Sequence, residues 1–446
     1  MNFDEAYNYI LSLSNMPRLE YMKEGNMCDW YLKRMQFFLD LIGNPEKKIK
    51  HYIHVTGTSG KGSTVSFLHN ILQADKRKVG STYSPHPTVI TERWKVGNSY
   101  MTKKEFVEIV EYLKPKLDEY LEKTPYDMLS FFELTEVIGF IFFAQKKVDW
   151  LVLEVACGGR YDSSNIIPYK DVATITNIGL DHVGIIGNNK EEIAYEKAGI
   201  IKSGCTAFTT EQDKKILNII ETEADLQKVN LEKLKINDYK IIKENINKII
   251  FSYQDEEYEL QALGQHQIKN AILCINIAKF LKIKNVSIKQ GLKNTLQPLR
   301  FEIVQEKPYI ILDGAHNEDK IKSTVEAMKK FPPKADQPRA EKNNNLYLIV
   351  GFSGDKKVSN MIKSLSTLHP TFVCATKNTS NHFRKVADPK VIAKEFAKNK
   401  NTKTKIFLDP HDALAFCLSK MKKNDALLIT GSIFLSGELR QKFKKI

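Results

Sequence analysis

The chain has 446 residues, 42% hydrophobic and 27% charged, with 67 Lys and Arg against 53 Asp and Glu for a formal charge of +14. Those proportions exclude a disordered, collagen-like or disulfide-stapled protein, and the length predicts two or three globular domains around a large core. Only nine of the 67 basic residues are arginine, so the positive balance reads as lysine on solvated faces, with anionic small substrates as a compatible cause, rather than as a nucleic-acid surface.

From the N-terminus, MNFDEAYNYILSLSNM lacks the basic-then-apolar order of a signal peptide. Apolar residues at helical spacing (Leu32, Met35, Phe38, Leu39, Ile42) predict a helix that Gly43-Asn44-Pro45 stops. A short strand, Tyr52 to Val55, runs into Gly57-Thr-Ser-Gly-Lys-Gly-Ser-Thr64, and Val65 to Ala74 is again helical. Phe131 to Ala144 reads as a buried helix, Trp150 to Val155 and Val172 to Ile178 as apolar strands, and Lys190 to Gly199 as a helix. The alternation argues for a parallel sheet with helices on both faces. The longest apolar run, Val137 to Ala144, falls far short of the roughly 20 residues that span a bilayer.

The Lys/Glu/Asn-rich stretch from Thr209 to Gln261 predicts short β-like pieces such as Lys248 to Tyr253, and Gln267 to Phe280 a helix. Pro298, in Leu296-Gln-Pro-Leu299, marks a boundary. Beyond it, strands at Tyr309 to Leu312, Leu346 to Val350, Thr371 to Ala375 and Ala426 to Thr430 alternate with helices starting near Asp319, Val358, Asp388 and His411. Lys334 to Asn345 reads as a loop. The expected fold is therefore α/β: an N-terminal P-loop ATPase-like domain with a mostly parallel sheet, residues 1–296, and a smaller C-terminal Rossmann-like α/β domain, residues 299–446. Six cysteines (Cys28, Cys157, Cys205, Cys274, Cys374, Cys417) stand singly with no C-x-x-C pair, which suits a reducing compartment. A cytoplasmic protein without membrane or nucleic-acid partners is the expectation.

The glycine-rich turn between strand and helix is a recipe for holding phosphates. Backbone N–H groups curl around anionic oxygens, the helix N-terminus adds partial positive charge, and Lys61 adds a full one. It departs from the generic G-x-x-x-x-G-K-[ST] pattern, with Val55 at the first glycine position, Gly62 after the lysine and the hydroxyl one later, at Ser63. G-T-S-G-K-G-S-T instead resembles the loop of the folylpolyglutamate synthase and dihydrofolate synthase family of the Mur ligase superfamily, with Ser59 for its usual asparagine. Further segments follow in that family's order: Ser84-Pro-His86 with Glu92-Arg93, Ser130-Phe-Phe-Glu133, Leu153-Glu-Val-Ala-Cys-Gly-Gly-Arg-Tyr-Asp162 with Ser164-Asn165, Ile178-Gly-Leu-Asp-His182, Glu196-Lys-Ala-Gly-Ile200, the Gly264 to Ala271 segment, Asp313-Gly-Ala-His-Asn317 and Thr430-Gly-Ser432.

The resemblance implies an ATP- and magnesium-dependent amide ligase joining L-glutamate to folate or dihydropteroate through an acyl phosphate, as a monomer. By the same resemblance, Gly57, Thr58, Ser59, Gly60, Lys61, Gly62, Ser63 and Thr64 hold the triphosphate, with Asn270, Arg300 and Asp313 as further nucleotide contacts. Ser63 lies beside one magnesium, and Ser84, Glu154 and His182 surround a second; Lys61, Glu154, His182, Lys197 and Arg300 form the catalytic set. Lys197 corresponds to a lysine that carbon dioxide carbamylates. Arg93, Ser130, Phe132 and Asp162 match the pterin pocket, and His316 and Ser432 the amino-acid side. Read singly, Glu154 is equally a satisfied core carboxylate, His182 a capping residue, Lys197 a solvated helix lysine and Ser432 loop punctuation. Ala156 and Leu299 stand where the family has glycine. Competing readings are a Mur-type ligase acting on another acid, a P-loop kinase or ATPase without amide formation, and a nucleotide-binding module without ligase activity.

Overall fold

Eight strands build the first sheet: β1 (His51–Thr56), β2 (Val79–Thr82), β3 (Trp94–Val96), β4 (Ser99–Tyr100), β5 (Trp150–Glu154), β6 (Val172–Ile175), β7 (Thr206–Thr209) and β8 (Asn230–Lys233). Their order across the sheet is β4-β3-β2-β5-β1-β6-β7-β8. Neighbours from β2 to β8 run parallel, and only the β3 and β4 edge turns back antiparallel. The central strands are apolar because both their faces are covered. Tyr52, Leu151 and Leu153 pack on one side with helix Phe131–Gln145, while Ile53, Val55 and Val152 pack on the other with Val65 and Phe67 of helix Lys61–Ala74. The computed structural model describes all residues except 15, 17, 20, 22–26, 246, 247, 262, 263, 331–344, 355–357, 380–384, 400, 401 and 444–446.

Several helices stand where the sequence reading has none, two long ones among them. Lys103–Lys123 is a 21-residue helix that runs through Pro115, and its Phe106, Ile109, Val110, Leu113, Leu117 and Tyr120 form the buried face. Lys214–Leu226, inside the stretch expected to be β-like, buries Ile216, Ile220 and Ala224 against the sheet. Strands do follow: an antiparallel sheet of β9 (Lys240–Glu244), β10 (Ile249–Tyr253) and β11 (Glu256–Leu260), in the order β11-β10-β9. The helix after the phosphate loop starts at Lys61 rather than Val65. Strand β6 stops at Ile175 rather than Ile178, which frees the next residues to brace that loop.

Beyond Pro298 lies a second, separate sheet of β12 (Glu302–Glu306), β13 (Tyr309–Leu312), β14 (Leu346–Val350), β15 (Phe372–Ala375), β16 (Lys403–Ile406) and β17 (Ala426–Thr430). The order is β12-β13-β17-β14-β15-β16, parallel except for the β12–β13 hairpin. The expected four strands form its centre, and β12 and β16 are the added edges. The expected loop Lys334 to Asn345 lies outside the described residues up to 344.

The two lobes touch through the last helix, Ile433–Arg440. The Arg440 guanidinium reaches Glu92 of the first lobe at 3.0 Å and Glu302 of the second at 2.9 Å. Gly437 sits so close to the Ser84–Thr88 loop that an added Cβ would lie 1.5 Å from the Pro87 carbonyl oxygen. Among the described residues no helix is long and apolar enough to cross a membrane.

Candidate active site

The phosphate loop owes its shape to two glycines. Gly57 and Gly60 have φ of 143° and 86°, conformations that side-chain-bearing residues rarely adopt. A Cβ on Gly57 would also lie 1.9 Å from Thr176 Oγ1, and one on Gly60 2.5 Å from Asn270 Oδ1. The segment after β6 holds the loop from behind: Thr58 N donates to Asn177 O at 2.8 Å, Ser59 N to Asn177 Oδ1 at 2.9 Å, and Thr176 Oγ1 to Ser59 O at 2.6 Å. Lys61 Nζ folds back onto Gly57 O at 2.7 Å. Lys197 Nζ reaches the same carbonyl at 3.2 Å from the buried side. Burial first, then the Lys61 charge, lowers the Lys197 ammonium to about 8.

Glu154 ends β5 and is buried. Its Oε2 accepts the Ser84 N–H at 3.0 Å, which joins the S-P-H segment to the sheet. Burial pushes this carboxyl up, while Lys61, the Ser84 N–H and Arg300 pull it back. His182 has φ of 49° and stands on a partly exposed turn with Nε2 3.8 Å from Asp181 Oδ1. Among the described residues no group of three His, Cys, Asp or Glu side chains converges. A divalent ion here would depend on hydroxyls and phosphate oxygens as well as on Glu154, a hard-oxygen set that suits magnesium.

A polar chain ties the interlobe linker and helix Gln265–Phe280 to the loop. Ser63 Oγ donates to Gln297 Oε1 at 2.8 Å, Gln267 Nε2 donates to the same oxygen at 3.2 Å, and Asn270 Nδ2 donates to Gln267 Oε1 at 3.3 Å. Arg300 follows Gln297 by three residues, and both line a cavity of about 80 Å³ with Ser63, Ser84 and Glu154. Lys320 donates toward His316 Nε2 at 3.2 Å, whose Nδ1 is held 2.7 Å from Gly314 O. Burial, Arg300 and Lys61, in that order, bring the Lys320 ammonium down to about 7. Lys61, Lys197, Arg300 and Lys320 thus form a mutually repelling cluster of cations that awaits a polyanion.

Asp313 is spoken for in this state. Its Oδ2 accepts Phe301 N–H at 2.9 Å, and its Oδ1 accepts Ala315 N–H at 2.9 Å and the Thr324 hydroxyl at 2.7 Å. Ser432 caps helix Ile433–Arg440, and Ser130 forms a capping box with Glu133 on helix Phe131–Gln145. Glu133 in turn binds Arg34 through two nitrogens, at 2.6 Å and 3.1 Å, so it anchors helix Trp30–Leu41.

On the far side of Glu154, the Arg93 guanidinium lies 5.6 Å from the Phe131 ring centre and 5.9 Å from that of Phe132. Asp162 Oδ2 accepts Cys157 N–H at 2.9 Å, and Oδ1 accepts Ser164 N–H at 3.0 Å. The glycines before it serve close packing: a Cβ on Gly159 would lie 2.8 Å from Glu196 O and 2.9 Å from Lys197 O. Glu136 joins this group unannounced by any motif. It is buried with Oε2 unpartnered, and burial first, then Asp162, pushes its carboxyl up to about 8 against the pull of Arg93.

The Mur ligase middle domain matches residues 55–278, and the Mur ligase glutamate ligase domain matches residues 299–433. A dihydrofolate synthase/folylpolyglutamate synthase of Bacillus subtilis is 34% identical over 433 residues, covering 93% of this chain and 95% of its own. The chain belongs to the folylpolyglutamate synthase and dihydrofolate synthase family. The crystal structure of a folylpolyglutamate synthase from Thermotoga maritima matches with a TM-score of 0.81 at 28% identity, over 99% of this chain and 97% of that one. E. coli FolC in complex with ADP, without folate substrate, matches at 0.77 and 25% identity, over 98% and 97%.

Within this synthase family's motifs, the structure gathers the phosphate loop, Ser84, Glu154, Asn270 and Arg300 around one cleft, and it sets Arg93 beside Phe132 with Arg93 and Asp162 both acting on Glu136. It places Ser130, Asp313 and Ser432 in structural hydrogen bonds. Gln267 lies inside the Gly264 to Ala271 motif without a role assigned to it, and Gln297, Lys320 and Glu136 are additions that no motif flagged. The N-cap pattern S-x-x-E was the one available signal for the role of Ser130.

Proposed function

We propose that the chain uses ATP to join L-glutamate to folate or dihydropteroate, releasing ADP and phosphate. The observation that carries this is a cavity shared by Ser63, the buried Glu154 and Arg300, with the Lys61 charge acting on the same carboxylate. Such a site suits the transfer of a phosphoryl group to a carboxylate: the cations stabilise charge on the moving phosphoryl oxygens, and the walls exclude water from the acyl phosphate. The glutamate amine then attacks the activated carbonyl, and phosphate leaves. Magnesium would be held at Ser63 and at Ser84, Glu154 and His182 and would supply further charge neutralisation.

The remaining assignments belong to the same reading. Residues 1–296 form the ATP- and folate-binding domain and residues 299–446 the domain that takes glutamate and closes over ATP, with Asp313, His316 and Ser432 engaging ligand once it arrives. Arg93, Phe132 and Asp162 frame the pterin pocket with the Ser130 turn. The protein acts as a cytoplasmic monomer. ADP release measured with and without L-glutamate and dihydropteroate tests the reaction: dependence on both is expected, and release indifferent to either would reject it.

Lys197 carries a carbamate in this reading. Only a neutral amine attacks carbon dioxide, so a pKa lowered to about 8 favours the reaction, and occupancy rises as pH climbs through that value. The change replaces a like-charged neighbour of Lys61 with an opposite charge. Lys197→Ala should lose most turnover and regain part of it with a small carboxylic acid such as acetate; a folded variant that no acid rescues would refute the carbamate.

A further inference from the structure

The interlobe cavity extends beyond the phosphate loop along helix Lys61–Ala74. Ser63, Ser66 and Asn70 line it from one helix face, and seven residues of helix advance about 10 Å. Opposite Asn70, the cavity is walled by Lys95 of β3 and Tyr100 of β4.

The acids in this cavity already have partners. Glu92 accepts the Arg440 guanidinium at 3.0 Å and the amides of Thr88 and Val89 at 2.6 Å and 3.0 Å, and Glu154 accepts Ser84 N–H. The donors are a different matter. Lys95 Nζ has no ion pair or hydrogen bond among the described residues; the Tyr100 ring centre lies 6.0 Å away, and the Lys95 charge acts on the buried His69. Gln297 Nε2 is buried without a partner, although its Oε1 accepts from both Ser63 and Gln267. Burial with no compensating anion pulls the Lys95 ammonium below its usual range. The acids of this cavity are paired and one Asn70 N–H donates to Ser66 O at 2.8 Å, but Lys95 Nζ and Gln297 Nε2 lack partners, which leaves the cavity short of an anion.

We propose that Lys95, with the Asn70 amide and the Tyr100 hydroxyl, forms a second anion subsite that takes an unreacted substrate carboxylate, apart from the phosphates at Lys61 and Arg300. The inference rests on the ligase reading. The nucleotide's phosphates at the loop lie about two helical turns away, and the other substrates are carboxylic acids. Two sources of that carboxylate differ chemically. L-glutamate keeps its α- and γ-carboxylates through the reaction, and a glutamylated folate keeps the α-carboxylate of its tail, whereas the carboxylate of dihydropteroate is the reacting group.

Steady-state kinetics of Lys95→Gln with dihydropteroate and with tetrahydrofolate monoglutamate decide the matter. A charge-assisted bond lost here should raise a KM by about tenfold or more with kcat and the KM for ATP little changed, and Lys95→Arg should recover part of it. A raised KM for L-glutamate with both acceptors assigns the subsite to the incoming amino acid. A raised KM for tetrahydrofolate monoglutamate alone assigns it to the tail. Asn70→Asp, which places a carboxylate on the facing wall, should raise the same KM and serves if Lys95→Gln does not fold. Unchanged KM values, or a fall in kcat alone, would overturn the subsite. A wild-type protein whose ADP release ignores L-glutamate would overturn the ligase reading instead, and the subsite with it.

Discussion

Lys61→Met is expected to cut turnover by about 1000-fold while leaving the fold intact. Lys61 is the cation nearest the phosphate loop, bonded at 2.7 Å to the carbonyl that shapes it. Preorganised charge in a water-poor site is worth far more than the same charge in solvent, and loss of one such donor typically costs 100- to 1000-fold. The thermal midpoint should stay level or rise, because the substitution removes one member of a repelling group that includes Lys197 and Lys320. A single-turnover assay beside a melting curve separates the two effects. Turnover within tenfold of wild type would mean that the loop's amides and Arg300 suffice.

The second large effect lies at the joint between the lobes. Arg440→Met leaves Glu92 and Glu302, which are 1% and 10% exposed, without their shared cation. Removing one partner from a buried ion pair costs about 3–5 kcal/mol. Glu302 also accepts the Leu299 N–H at 3.0 Å, just where Leu299 and Phe301 adopt φ of 56° and 52°, so the linker turn that presents Arg300 loosens too. Denaturant unfolding should show the lost stability, and KM for ATP should rise. Burial holds the Glu92 carboxyl above its ordinary value, and Arg440 is among the groups pulling it back. Without Arg440 its pKa rises further, so acid pH neutralises the stranded charge and the deficit against wild type shrinks as pH falls. A deficit that grows toward acid would contradict this account.

The sequence carried the site where the site is local. A strand, a glycine-rich turn and a helix within residues 51–74 define the phosphate loop whatever surrounds them, and Glu154 at the end of β5 follows from the rule that ligands gather at strand ends of open α/β sheets. Gln297, Lys320 and Glu136 escaped because tertiary packing alone brings them in. Gln297 meets Ser63 from 234 residues away. Ser130 and Ser432 show the converse: the residue types that bind ligands are also those that cap helices, so a motif does not separate the two roles. Helix Lys103–Lys123 carries its apolar stripe openly, but Pro115 in its middle argues against a helix when only the sequence is weighed. Lys214–Leu226 carries a stripe too, with Ile216, Ile220 and Ala224 four residues apart, but it sits in a Lys/Glu/Asn-rich stretch whose composition argues for short β-like pieces.

Main chain meets main chain where Gly437 crosses Pro87. The width of the gorge between the lobes is therefore gauged by peptide units, and turnover of surface residues on either bank leaves it unaltered. An added methyl group at 437 has nowhere to go but into a carbonyl, and would prop the two halves ajar like a pebble in a hinge.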